Sequence, residues 1–296
     1  MDKKIVVVAS SVVALLLLTM WMPLGAQQPG YRTPKPAKRT PPATPIAAAA
    51  DDRESVLFNW MWYMGMLRGV SETESVATLE LRKSSGTIRV DGQPCKLVSY
   101  RASINYQIPG MRAQYSCTKP NGQAYKAIEV VSGQSAWNED VVGAGLVPGR
   151  GTPTPLPALA TERLIRIWAG PQGAAKAAAA GGAATKVAVE GGKPVVTFPI
   201  PGVPSATGKA TLNSDNMAER VEVRHGTSLT EFTYSNYADW NPPDDKVDGY
   251  FAGHIVEKHD GVMVLDITVG ETHVGNLYVV MPVPESVKKA SVTQSR

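Results

Sequence analysis

Residues 97–108 read Leu97-Val98-Ser99-Tyr100-Arg101-Ala102-Ser103-Ile104-Asn105-Tyr106-Gln107-Ile108, and apolar and polar side chains alternate along them. Every even position is apolar, and every odd position from Ser99 to Gln107 is polar. Successive side chains of a β-strand point to opposite faces, so the pattern predicts a strand with one buried and one solvent-exposed face. At about 3.3 Å per residue the strand would be near 40 Å long. Strands of that length twist a sheet strongly.

Tight turns divide the chain around this strand into antiparallel pairs. The turn dipeptides, each flanked by strand-like runs, are Asp91-Gly92, Asn121-Gly122, His225-Gly226 and Asp260-Gly261. Asp-Gly and Asn-Gly supply the positive φ angles of type I′ hairpin turns. The predicted pairs are 86–90 with 95–107, 111–118 with 123–131, 217–224 with 227–235, and 250–258 with 262–271. The sequence therefore predicts a mostly β fold with helices, built on a curved antiparallel sheet of roughly ten strands.

Helices are predicted at two places. The first covers 52–67, with Asp51 or Asp52 as its N-cap. Its second half reads Trp60-Met61-Trp62-Tyr63-Met64-Gly65-Met66-Leu67 and is apolar on every side, so it must be covered or must plug an opening. The second covers about 159–168, inside a Pro-, Ala- and Gly-rich insert near 148–184, where 174–182 either extends the helix or stays irregular. We expect 51–296 to form one domain.

The N-terminus resembles an export signal. Lys3 and Lys4 precede an apolar run from Ile5 to Met22, which Leu24-Gly25-Ala26 follows. Residues 1–26 are therefore interpreted as a signal peptide or, because the run is long enough to span a bilayer, as an uncleaved signal anchor. Residues 27–50 hold six prolines, four basic residues and no acidic residue, which predicts an extended, disordered linker.

Charge excludes one class of partner. The whole chain carries +4, but the first fifty residues carry +5 of it, which leaves 51–296 at −1. A nucleic-acid-binding surface needs clustered Lys and Arg, so we expect no nucleic-acid partner. The basic linker could instead contact anionic lipid headgroups at a membrane surface, but a solvated spacer is the favoured interpretation.

No pattern in the chain indicates catalysis. Phosphate-binding glycine loops, nucleophile-elbow serines and zinc-protease helices are all missing from the sequence. The four histidines lack metal-ligand spacing, since His254 and His259 are five residues apart on a predicted strand. We therefore predict a protein that is not an enzyme and has no catalytic residue, metal site or cofactor.

The two cysteines, Cys95 and Cys117, are predicted to be unpaired. An exported protein would ordinarily bridge them. A turn at Pro109-Gly110, however, places residue 124 opposite Cys95 and residue 102 opposite Cys117. The sulfurs would then lie over 20 Å apart along the sheet, whereas bridged Cα atoms lie within about 7 Å.

The C-terminal half resembles a known superfamily. Its pattern runs through Ala210-Thr211-Leu212-Asn213, Arg220-Val221-Glu222-Val223, Phe232–Trp240, Gly253-His254-Ile255-Val256, Asp260–Thr268 and Asn276. It is similar to the LolA-like superfamily of periplasmic lipoprotein carriers and envelope sensors, whose sheet closes with a Tyr-Ser-x-Tyr strand and a hairpin around an Asp-Gly turn. The resemblance implies a half-open antiparallel barrel, lidded by helices, whose concave apolar face receives lipid chains.

Two functions follow as hypotheses. The first is an exported, periplasmic protein that binds a lipid or the acyl chain of an acylated protein. Its cavity would be lined by Trp60, Trp62, Met64, Met66, Tyr100, Ile104, Tyr106, Phe232 and Tyr234, because flexible thioether and aromatic side chains suit apolar ligands. The same side chains would equally well fill a closed core. The alternative is a protein-interaction or envelope-sensor module anchored in the inner membrane.

Overall fold

The computed structural model describes residues 35–36, 51–67, 76–239, 250–276 and 278–294. The predicted signal segment 1–26 and nearly all of the predicted linker 27–50 lie outside the described residues.

Sixteen strands and four α-helices occur in the described residues. The helices are α1 (Arg53–Tyr63), α2 (Ala160–Ala169), α3 (Pro171–Ala180) and α4 (Glu285–Gln294). The strands are β1 (Lys35–Pro36), β2 (Thr78–Arg82), β3 (Ser85–Val90), β4 (Gln93–Asn105), β5 (Gly110–Thr118), β6 (Ala124–Ser132), β7 (Ser135–Glu139), β8 (Pro153–Pro155), β9 (Lys186–Glu190), β10 (Lys193–Pro199), β11 (Thr207–Leu212), β12 (Ala218–His225), β13 (Ser228–Asp239), β14 (Tyr250–His259), β15 (Val262–Thr268) and β16 (Glu271–Val274). Short 3-10 turns occur at Pro157–Leu159 and Gly182–Ala184.

All the strands belong to one open antiparallel sheet. Its order is β8-β7-β6-β5-β4-β3-β15-β14-β13-β12-β11-β10-β9, with β1 added on β13 and with β2 paired to both β4 and β16. The prediction of a mostly β, antiparallel fold with helices is therefore confirmed.

Curvature of the sheet is visible in the contacts of α2. This helix packs against β5, β6 and β7 and also against β12, although five strands separate β5 from β12 in the sheet. In a flat sheet with strands about 4.8 Å apart, β5 and β12 would be nearly 30 Å apart. A helix is only about 10 Å across, so the sheet must curve around α2. We call the face that packs on α1, α2 and α3 the inner face and the opposite face the outer face.

The predicted hairpins form where the turn dipeptides indicate. Val90 pairs with Gln93, and His259 pairs with Val262. In the first loop the φ angles are +50° at Asp91 and +76° at Gly92. Both central residues of a type I′ turn need positive φ, so Asp91-Gly92 has the backbone conformation that the Asp-Gly dipeptide predicts.

Strand β4, which contains most of the predicted strand 97–108, differs from its prediction at both ends. On the even-numbered face Tyr100, Ala102 and Ile104 are buried, as expected, but Val98 is 73% and Ile108 is 65% exposed. A β-bulge between Leu97 and Ser99 inserts Val98 as an extra residue and turns it outward. Ile108 is exposed because β4 already ends at Asn105 and the chain turns there.

Helix α1 begins as predicted, because the Asp52 carboxylate accepts a 3.0 Å hydrogen bond from the N–H of Ser55. It ends at Tyr63, four residues earlier than predicted, since Gly65 adopts φ +69°. Helix α2 confirms the second predicted helix, and the Ala-rich stretch after it forms α3. None of these helices, within the described part of the chain, is long and apolar enough to span a bilayer.

Hydrophobic side chains pack on both faces of the sheet. The larger core lies on the inner face beneath α1, α2 and α3 and contains Trp60, Tyr100 and Ile167. A smaller core on the outer face joins Val130 and Trp137 of the sheet to Val279, Met281 and Val287 of the C-terminal segment. The C-terminal segment therefore covers part of the outer face.

The prediction that Cys95 and Cys117 are unpaired is wrong. The two residues form a disulfide with their Cα atoms 5.5 Å apart. The Asn105 side-chain oxygen accepts hydrogen bonds from the N–H groups of Gln107 (2.9 Å) and Ile108 (2.8 Å), so the turn begins before Pro109. Asn105 then pairs with Gly110, and Leu97 lies opposite Cys117, which brings Cys95 within reach.

We expect this disulfide to stabilise the fold. It closes a loop with a sequence separation of 22 residues, and cross-links of that kind contribute about 2–4 kcal/mol. The double substitution Cys95→Ala/Cys117→Ala should lower the free energy of unfolding by that amount in urea titrations. Wild-type protein treated with reductant should match the variant, and stability indifferent to reductant would argue against the bridge.

Candidate functional site

A small apolar cavity lies on the inner face, beneath the junction of α2 and α3. Its volume is about 50 Å³. The sheet supplies its floor from β2, β4, β13, β14 and β15, and the junction supplies Arg166, Gly170 and Pro171 as its roof. Strands far apart in the sheet meet here because the sheet curves around α2.

Five of the nine residues predicted for a ligand cavity lie in its lining. They are Tyr100, Ile104, Tyr106, Phe232 and Tyr234. The first three lie on or just beyond β4, and the other two follow period two along β13. The Phe232 and Tyr234 rings stack with centroids 6.1 Å apart.

The four residues predicted from the first helix are placed elsewhere. Trp60, Met64 and Met66 are fully buried in the inner core but are not part of the cavity lining. Trp62 is half-buried and stacks on Phe58, with ring centroids 5.5 Å apart. Helix α1 packs against α3 and β9, away from the floor that β4 and β13 provide.

The size of the cavity limits what it can hold in the described arrangement. A water molecule occupies about 30 Å³ of liquid, so a space of about 50 Å³ admits only a small group. It does not admit an acyl chain. Such a ligand could enter only if α2 and α3 moved away from the sheet.

An ion-pair network that the sequence analysis did not identify borders the cavity. The Arg166 side chain on α2 contacts the carboxylate of Glu257 on β14 at 3.0 Å and that of Glu129 on β6 at 3.6 Å. His259 Nε2 lies 2.7 Å from Glu257. Arg166 therefore links two distant parts of the curved sheet through a single helix.

The chemistry of Glu257 follows from its burial and its partners. Its side chain is 1% exposed. Burial by itself would raise the pKa of Glu257, but the Arg166 charge and the contact with His259 outweigh burial and hold the pKa below its ordinary value. The sequence signal was a charged residue at an inward position of a strand, two residues after buried Ile255.

Tyrosine hydroxyls around the cavity differ in their hydrogen bonding. The Tyr234 hydroxyl donates to the carbonyl of Ala169 at 2.6 Å and so ties β13 to the end of α2. The Tyr106 hydroxyl is buried and has no hydrogen-bond partner among the described residues. Burial raises the pKa of Tyr100 to about 12, and burial also raises the pKa of Tyr106. Both phenols therefore stay protonated near neutral pH.

Comparisons with known proteins add a similarity of structure. No protein-family model matches the chain, and no curated protein matches it. One similar solved structure, from Vibrio parahaemolyticus, is named as an outer membrane lipoprotein-sorting protein domain. The similarity covers 81% of this chain and 99% of that chain, with 9% sequence identity and a TM-score of 0.42.

The Arg166–Glu257 pair yields a prediction about stability. Glu257→Gln removes the nearest carboxylate and leaves the largely buried Arg166 charge with Glu129 at 3.6 Å and Glu162 at 3.9 Å, so the cost should lie at the lower end of the range for breaking a buried pair, about 3 kcal/mol. Urea unfolding near neutral pH should show a loss of that size. Glu222→Gln is the matched control, because Glu222 pairs with a half-exposed Arg220, and such pairs contribute at most about 1 kcal/mol.

The same variant should respond differently to acid. A carboxyl group whose pKa is lowered by folding stabilises the protein fully above its unfolded value, 4.5, and this stabilisation disappears as the pH falls through the lower folded value. Wild-type protein should therefore lose stability below pH 4.5 more steeply than Glu257→Gln does. Parallel acid profiles for the two proteins would contradict this role of Glu257.

Proposed function

We propose that the protein is an exported, non-enzymatic protein of the cell envelope that binds the acyl chain of a lipid or acylated protein beneath α2 and α3. The observation that carries the proposal is a mainly apolar cavity on the inner face that contains a buried phenol, Tyr106, with no hydrogen-bond partner among the described residues. A mainly apolar lining with one unsatisfied hydroxyl suits a ligand that is mostly hydrocarbon and has a single acceptor.

The α3 part of the roof is the more easily displaced, because the Arg166 ion pairs and the Tyr234–Ala169 hydrogen bond hold α2 to the sheet. Helix α3 buries mainly alanines, Ala174, Ala175, Ala177 and Ala178, which bury little apolar area per residue. Gly170 interrupts the helical path between α2 and α3 with ψ 156° and so forms a natural hinge. Opening at this hinge would expose apolar side chains, and an acyl chain would cover them again.

Tyr106 supplies the polar contact. Leaving a buried donor without an acceptor costs about 1–3 kcal/mol. The carbonyl oxygen of an ester or amide, the group that joins an acyl chain to its carrier, would accept this bond and recover the loss. The Tyr106 hydroxyl faces the hinge, since a Cβ at Gly170 would lie 3.9 Å from it.

Binding fits the titratable groups here better than turnover does. Glu257 is held ionised by Arg166, and the phenols are held neutral by burial. A general acid or base works best with a pKa near the working pH. The pKa of Glu257 is lowered and the pKa values of the phenols are raised, away from neutral pH, so these groups are better suited to binding a ligand than to transferring protons.

Export is supported by the cross-link. The Cys95–Cys117 disulfide is typical of an oxidising compartment such as the periplasm, and the apolar run at 5–22 would direct the chain there. N-terminal sequencing of the exported protein would distinguish a diffusing carrier, beginning near Gln27, from an anchored protein that retains Met1.

Ligand stabilisation tests the proposal directly. Delipidated protein should gain about 2.7 kcal/mol of stability at a palmitate concentration one hundred times the dissociation constant, measured as a rise in melting temperature. Ile104→Trp places a large side chain in the cavity and should abolish the gain, with about 1–3 kcal/mol of destabilisation from overpacking. Val98→Trp, on the exposed bulge of the same strand, is the matched control and should bind like wild type. Wild-type protein that neither binds palmitate nor brightens an apolar dye would refute the proposal.

The role of Tyr106 has its own test. Tyr106→Phe should leave the fold as stable as wild type or more stable, because it removes a buried unpaired hydroxyl. It should weaken binding of an acyl ester by about 1 kcal/mol and leave binding of an alkane of equal length unchanged. Equal losses for both ligands would show that Tyr106 acts only through packing.

A further inference from the structure

The two strands at the ends of the main strand order differ in their capacity to accept a further strand. One end is β8, whose three residues include Pro153 and Pro155. Proline has no N–H to donate, so it blocks the addition of another strand. The other end is β9, Lys186–Glu190, which reads Lys-Val-Ala-Val-Glu and contains no proline. Among the described residues, β9 pairs only with β10.

The outer edge of β9 is open to solvent. Ala188 and Val189 point to opposite faces of the sheet, and both are exposed, Val189 by 47%. Helix α1 contacts β9 on the inner face, where Val187 is partly buried against the core. Val189, two residues further along that face, stays exposed. An edge of this kind is a template on which another strand can pair.

The hairpin turn determines which backbone groups face this edge. Gly191 and Gly192, with φ angles of +58° and +78°, form the two-residue turn between β9 and β10. In such hairpins the residues that flank the turn are a hydrogen-bonded pair, and bonded pairs alternate along the strands. The even-numbered residues of β9 therefore bond to β10. The N–H and C=O groups of Val187 and Val189 point the other way, toward the open edge.

The sequence of β9 is complementary to itself when two copies run antiparallel. With Ala188 opposite Ala188 of the second copy, Lys186 lies opposite Glu190 at each end. Val187 then lies opposite Val189, so each such pair can exchange both backbone hydrogen bonds across the edge. Registers centred on Val187 or Val189 would place no lysine opposite a glutamate. Backbone and charge therefore select the same register.

Both charged side chains have capacity for a second partner. Lys186 is exposed, and its ammonium group donates to the carbonyl of Ala183 at 3.0 Å, which leaves further N–H donors. The Glu190 side chain is 54% exposed and contacts Lys209 through Oε2 at 2.7 Å. Its Oε1 accepts no hydrogen bond within the described part of the chain. Glu190 can therefore bind a second lysine without releasing Lys209.

We propose that two copies of this protein dimerise edge to edge through β9, with Ala188 on the two-fold axis and the sheet continuing from one copy into the other. The contact surface is the same on both copies, as a two-fold interface requires. Because β9 is short, the contact buries less than the roughly 1,200–2,000 Å² of a stable interface. The dimer is therefore weak and forms as the protein concentration rises.

Sedimentation velocity of the exported protein over a range of concentrations tests the dimer. Wild-type protein should dimerise as its concentration rises toward about 1 mM. Lys186→Glu places carboxylates opposite each other at both ends of the strand pair, and Glu190→Lys places ammonium groups there. Each variant alone should therefore dimerise at least about tenfold more weakly.

Mixing the two variants separates pairing from other effects of charge. An equimolar mixture of Lys186→Glu and Glu190→Lys should form a heterodimer as readily as wild type dimerises, because each ammonium group again lies opposite a carboxylate. Lys126→Glu makes the same change of charge at an exposed position of β6 and is the matched control. It should dimerise like wild type.

Hydrogen exchange reads the backbone directly. The amides of Val187 and Val189 should exchange rapidly in dilute protein and slowly in concentrated protein, whereas the amide of Ala188, which bonds to β10, should be protected in both.

Three results would overturn the proposal. Wild-type protein could stay monomeric at about 1 mM, the mixture of variants could fail to restore a dimer that each variant has lost, or both single variants could dimerise like wild type. Protection of the Val187 and Val189 amides at every concentration would also overturn it, since another segment of this chain would then cover β9. None of these results depends on whether the inner cavity accepts an acyl chain.

Discussion

The Asn105 side chain fixes the register in which β4 pairs with β5. Its oxygen accepts hydrogen bonds from the N–H groups of Gln107 and Ile108, and its nitrogen donates a hydrogen bond to the carbonyl of Val279 at 2.8 Å. The first two bonds fix where β4 turns into β5. The third attaches the C-terminal segment to the outer face. A buried amide with all these bonds satisfied permits one arrangement and makes others costly.

Much of the molecule follows from that register. A shift of one residue between β4 and β5 would move every side chain of β5 to the other face. The observed pairing places Leu97 opposite Cys117, which allows the disulfide to Cys95. It also places Arg101 beside Gln114 on the outer face while Tyr100 faces the inner core. The inner cavity and the polar outer surface are therefore two faces of the same strand pair.

Buried ion pairs hold each face in shape. On the inner face, Arg166 joins Glu129 and Glu257 across the curved sheet, and on the outer face Glu80 joins Arg82 and Arg101. Among the described residues, the inner network joins one cation to more than one carboxylate, whereas the outer network joins one carboxylate to two cations.

The local features of this protein can be predicted from its amino-acid sequence. Alternation over 97–108 predicted the two-faced strand, the Asp-Gly turns predicted hairpins, and Asp52 marked the start of α1, because each depends on interactions between residues close together in the chain. Five of the proposed lining residues also came from period-two patterns. Tertiary packing accounts for the bulge at Val98, the early turn at Asn105, the disulfide, and the contact of Arg166 with Glu257. The pairing of one strand with another is a contact between distant residues, and a local pattern of side chains is compatible with several registers until packing and buried hydrogen bonds select one.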